Sequence, residues 1–86
     1  MILHSVKQPI NKGVVHSDDK YIVAYAIGVN TYQAVEGHRG TDRAEWARNI
    51  LQTHDREKAG FKDRTYAVLN IEDVEWQDGY KPKSRW

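Results

Sequence analysis

The stretch Tyr21-Ile22-Val23-Ala24-Tyr25-Ala26-Ile27-Gly28-Val29 decides the architecture. It is rich in β-branched and aromatic residues that alternate between two unlike sides, which is the pattern of a strand. Tyr21, Val23, Tyr25, Ile27 and Val29 fall on one side. Ile22, Ala24, Ala26 and Gly28 make the other side low and smooth. Asn30-Thr31 supplies a turn, and Tyr32 to Glu36 returns as an antiparallel strand before Gly37-His38-Arg39-Gly40 breaks the pattern.

Upstream, Ile2 to Val6 reads as a short strand and Lys7 to Gly13 as a loop. Val14-Val15-His16 is followed by Ser17-Asp18-Asp19-Lys20, a polar turn of the kind that joins hairpin strands. Downstream, Thr41 reads as a helix N-cap with Asp42 in the first turn, where a carboxylate meets the positive end of the dipole. At about 100° per residue, Trp46, Ile50, His54, Ala47, Leu51 and Ala44 gather in one arc. Glu45, Arg48, Asn49 and Gln52 lie opposite. Gly60 closes the helix, with Phe61 folding back on it, so the spacing predicts a helix over about residues 41–59. Arg64 to Ile71 is the next strand, with Tyr66, Val68 and Asn70 on one side and Ala67, Leu69 and Ile71 on the other. Val74 and Trp76 are predicted to extend it past a bend at Glu72-Asp73.

These elements predict a small, single, two-layer α+β domain over residues 1–76. One long helix packs on one face of a mainly antiparallel, three- to four-stranded sheet. Residues 77–86, with a turn at Asp78-Gly79, Pro82 and the cations Lys81, Lys83 and Arg85, read as a cationic tail with room for flexibility.

Composition narrows the function classes. The chain has 86 residues, 40% hydrophobic and 29% charged, which is ordinary for one globular core. No apolar run reaches the roughly 20 residues of a membrane span. The opening Met-Ile-Leu-His-Ser-Val lacks the marks of a secretory signal, so a cytoplasmic setting is expected. Without cysteine there is no disulfide scaffold, thiolate metal site or cysteine nucleophile. Thirteen Lys and Arg against twelve Asp and Glu leave +1, far from the excess of a typical DNA binder.

One helix covers only one face of a sheet. The smooth side of Tyr21–Val29, joined by Ala67, Leu69 and Ile71, suits close approach by a helix carrying Trp46. Tyr21, Tyr25 and Tyr66, with Tyr32, are then left on the second face as candidate partner-binding residues, since tyrosine joins a large apolar body to a polar tip. The competing expectation is that the N-terminal segment, or the tail with Trp76 and Trp86, folds over this face as ordinary core.

The Gly37-His38-Arg39-Gly40-Thr41-Asp42 turn leads into a helix N-terminus, where His38 and Arg39 could meet an anion. Its spacing fits neither the phosphate-loop nor the dinucleotide pattern, and Asp42 opposes an anion. The histidines have no metal-ligand spacing, and the serines (Ser5, Ser17, Ser84) stand in no nucleophile elbow. No catalytic residue, metal or cofactor is expected. The acidic run Glu72, Asp73, Glu75 and Asp78 reads as a solvated strand edge.

Tyr21-Ile22-Val23-Ala24-Tyr25 and Arg64 to Val74 resemble strands of the WYL-type regulatory domain over fewer than a fifth of the chain. Asn70 stands where that family carries an arginine, and no function or residue is carried over from it. In format alone (short, cysteine-free, α+β) the chain also resembles small phage-encoded inhibitors such as anti-CRISPR proteins.

The expectation is a non-enzymatic module that inhibits or adapts a larger protein or complex through its tyrosine face, with a homodimer as a further partner option. The alternative is a nucleic-acid-binding or transcription-regulatory domain. It would stack bases on the same tyrosines and place His38, Arg39, Lys62, Arg64, Lys81, Lys83 and Arg85 against the backbone.

Overall fold

A computed structural model of the chain describes residues 8–29, 31–56 and 64–84. Its elements are β1 (Gln8–Asn11), β2 (Tyr21–Gly28), β3 (Thr31–His38), α1 (Thr41–Arg56), β4 (Tyr66–Asn70) and β5 (Val74–Trp76). The molecule is a small α+β domain with one described helix on a five-stranded sheet in the order β4-β2-β3-β1-β5. None of the described helices is long and apolar enough to cross a membrane.

The antiparallel half follows the predicted alternation. β2 pairs β3 from Tyr21↔His38 to Gly28↔Thr31, and β4 from Tyr21↔Asn70 to Tyr25↔Tyr66. The other half corrects the expectation of three or four mainly antiparallel strands. β1 lies parallel to β3 (Ile10↔Tyr32) and to β5 (Ile10↔Trp76), giving a mixed sheet. Val74–Trp76 does not prolong β4. Ile71–Asp73 makes a short 3-10 turn, capped by the Asn70 side chain, that carries the chain away to the opposite edge.

The segment before β2 is not one arm of a hairpin. Val14 makes a parallel bridge to Glu36, with Val14 N–H donating to Val35 C=O at 3.1 Å and Gly37 N–H to Val14 C=O at 3.0 Å. Glycine is required just before it, because a Cβ on Gly13 would overlap the Ala34 carbonyl. His16 bridges Lys83, so the C-terminal segment lies against the domain through Ser17 N–H to Lys83 C=O at 3.0 Å. Upstream of that bridge, Trp76 and Tyr80 rings meet edge to face at 5.2 Å. Asp78 and Gly79 have the positive φ of the turn predicted for them, 58° and 71°.

Two hydrophobic clusters lie on the two sides of the sheet. Val23 and Tyr66, with Tyr21, Tyr25, Val35 and Val68, receive Ala44, Ala47 and Leu51 of α1. Ile10, Ile22, Ala24, Ala34 and Val74, with Val15, Tyr32, Leu69, Ile71 and Trp76, make the second cluster. The parity reading is therefore correct for the clustered residues of β2 and β4, whereas Tyr32 of β3 joins the opposite side, and the helix takes the other face from the one expected. Register shifts between Val23 and Ala24 and between Ala26 and Gly28 interrupt the β2–β3 ladder. Such irregularities bend strands and increase twist, so the sheet curls and encloses its own smooth side. Ala26 and Gly28, expected under the helix, are exposed.

Helix α1 starts at Thr41, but the first helical hydrogen bond runs from Ala44 N–H to Gly40 C=O at 3.1 Å. Gly40, not Thr41, holds the N-cap position. The helix is described to Arg56. Residues 57–59 of the predicted span, Gly60 with Phe61, the Ile2–Val6 strand, Lys62, Arg85 and Trp86 lie outside the described residues.

Candidate functional site

Helix α1 is built the wrong way round for a helix whose only task is packing. Its buried side uses Ala44 and Ala47, whereas Trp46 is 67% exposed and Ile50 46% exposed. The predicted arc was about a quarter of a turn off. The error arose because the arc was drawn out to Trp46 and Ile50 as the bulky apolar residues, while the sheet face beneath already carries Tyr21, Tyr25 and Tyr66. Rings there fill the space between layers, so the helix must approach with small side chains. The pair Ala44 and Ala47, three residues apart, was the available signal.

Gln52 is the residue the wheel misplaced most. Expected on the outer side, it is 7% exposed and bonded to Tyr66, the first residue of β4, and to Arg64 just before the strand. Trp46 and Ile50, one turn apart, form the outward apolar stripe. Further exposed apolar residues are Ile27 and Val29, at and just past the end of β2, and Val14 in the loop before it.

The Gly37–Asp42 turn lines an open concavity of about 670 Å³ together with Asp19 and Arg43. His38 Nε2 stands 3.1 Å from Glu36 Oε2, and the Arg39 guanidinium is paired with the Asp18 carboxylate. With Asp19 and Asp42 also on its wall, this hollow sets carboxylates beside the cations and helix N–H groups that would draw an anion. A second hollow of about 510 Å³ joins Asn11, Lys12, Gln33, Gln77, Asp78 and Tyr80. The Gln33 amide there is already donating to Lys12 and Ala34 carbonyls at 2.9 and 3.0 Å. Among the described residues no group of His, Asp or Glu is arranged to hold a metal ion.

Three of the four predicted tyrosines, Tyr21, Tyr25 and Tyr66, are brought together but not left open. Tyr66 is 4% exposed, meets the Tyr25 ring edge to face at 5.5 Å, and lies in the helix-facing cluster with Tyr21. Tyr32 packs on the opposite side with Ile10 and Ile22. Arg64, expected on a nucleic-acid backbone, places its guanidinium carbon 4.4 Å above the Tyr25 ring. Lys81 and Lys83 are exposed on the C-terminal segment, apart from the tyrosines in sequence and element. Comparison with protein-family models, curated proteins and solved structures finds no match for this chain.

Proposed function

We propose that the chain is a non-enzymatic binding module that docks the outer face of α1 into an apolar groove of a larger protein. One observation carries this: the helix buries alanines and presents Trp46 and Ile50 to water. Burying either large side chain is worth about 1.5–3 kcal/mol, stabilisation that this fold forgoes. Tryptophan is among the commonest interface anchors, and a helix offering residues at i and i+4 fits a groove. The lack of a nucleophile motif in the sequence supports the non-enzymatic part. The nucleic-acid reading has less support, because Arg39 is paired with Asp18 and Arg64 lies over Tyr25.

The test is affinity capture from a lysate with three immobilised forms: wild type, Trp46→Ser and Val14→Ser. Val14 is 69% exposed, so it controls for surface apolarity in general. Proteins held by wild type and Val14→Ser are expected to be lost with Trp46→Ser. Equal capture by all three overturns the proposal.

A further inference from the structure

Strand β4 is an edge of the sheet, and its hydrogen-bonding parity can be read from both ends. Ala26 N–H donates to Thr65 C=O at 3.3 Å, and Ile71 N–H donates to Lys20 C=O at 2.9 Å. In an antiparallel ladder the bonded residues alternate, so Thr65, Ala67, Leu69 and Ile71 turn their backbone groups toward β2. Those of Tyr66, Val68 and Asn70 point away from the sheet. At the start of this edge the Gln52 side chain reaches across from α1. Its Oε1 accepts Tyr66 N–H at 2.8 Å and its Nε2 donates to Arg64 C=O at 2.7 Å. Bonding to the residues on either side of Thr65 is what the N–H and C=O of one residue in a parallel neighbouring strand do.

Past Gln52 the strand itself, Tyr66-Ala67-Val68-Leu69-Asn70, carries neither of two common protections, a charge or a proline. Val68 and Asn70 have no partner strand on their outer side among the described residues. Such an edge suits a second copy of itself. An antiparallel two-fold pair centred on Val68 sets Val68 against Val68 and Tyr66 against Asn70 of the second copy, the self-complementarity an isologous contact needs. That arrangement requires Tyr66 N–H and the space beside it, and Gln52 holds both.

We propose that Gln52 is an edge plug: by standing in for a neighbouring strand, it keeps β4 from pairing with β4 of a second copy. The inference is independent of any partner for Trp46. Wild type is expected to sediment as a monomer, with the Val68 amide exchanging quickly and the Tyr66 amide slowly. Gln52→Met keeps the volume and removes both bonds. Its weight-average mass should rise toward double as concentration increases. Val68→Pro in that background removes an outward N–H without touching the β2 ladder and should restore the monomer. A Gln52→Met chain that stays monomeric, or a dimer indifferent to Val68→Pro, overturns the proposal. So does a wild-type Val68 amide as protected as that of Tyr66, a measurement that needs no variant.

Discussion

The carboxylate of Asp19 occupies the space that a Cβ on Gly37 would fill. Asp19 is buried, its Oδ2 accepts His16 N–H at 2.9 Å, and its own N–H donates to His16 C=O at 3.1 Å. These two bonds close the turn before β2, and Lys20 N–H then joins His38 C=O at 3.0 Å. Glycine at 37 is thus what allows a buried acid to lie against β3. Gly37→Ala should destabilise the fold by about 1–3 kcal/mol in urea denaturation, as overpacking does. Combining it with Asp19→Ala should cost less than the two single changes summed, because the overlap with the carboxylate is then gone.

Placing the helix on the tyrosine side makes Tyr66 core and Trp46 surface. Tyr66→Ala is expected to cost about 3 kcal/mol or more, the range of large aromatic truncations. Trp46→Ser should stay within about 0.5 kcal/mol of wild type. Acrylamide quenching checks the same point: in a Trp86→Phe background, Trp46→Phe should remove the more quenchable part of the emission, because the remaining Trp76 is half-buried.

Gly40 at the N-cap can be improved. A Cβ there meets nothing within 4 Å, and serine would offer an oxygen to the free N–H groups of the first turn. Gly40→Ser should raise stability by a few tenths of a kcal/mol, roughly, read as a higher Tm. Gly40→Ala should lower it. Were Thr41 the cap, neither change would follow this order.

Arg64 over Tyr25 is a contact whose strength can be isolated. Arg64→Ala leaves the backbone carbonyl that Gln52 uses and should cost about 0.5–1 kcal/mol. A double-mutant cycle with Tyr25→Leu should give a coupling of about 0.5–1 kcal/mol for the pair.

Alternation along Tyr21–Gly28 and Tyr66–Asn70 determined, from sequence alone, which residues share a side: Tyr21, Val23, Tyr25, Tyr66 and Val68 against Ile22, Ala24, Leu69 and Ile71. Strand period is a local property, so a short segment displays it. The helix from Thr41 through Arg56 and the turn at Asp78-Gly79 were legible because they too are local. The candidate site was not. Trp46 and Gln52 each looked correctly placed on the wheel, because polarity ranks residues by their fit to water and cannot register what the opposing layer needs.

Only the tertiary structure decided which face the helix would cover. Both faces are apolar, and the choice turned on volume: over the rings on one side the helix sets Ala44 and Ala47, with Leu51 beside them, and the smooth side is enclosed by the curl of the sheet. The parallel pairing of β1 with β3 and β5 was likewise invisible, since it joins Ile10 to Tyr32 and Trp76 with no connecting turn to announce it. Gln52 shows the same limit in one residue. Its amide is polar in the sequence and becomes part of the sheet only where β4 brings Arg64 and Tyr66 within its reach.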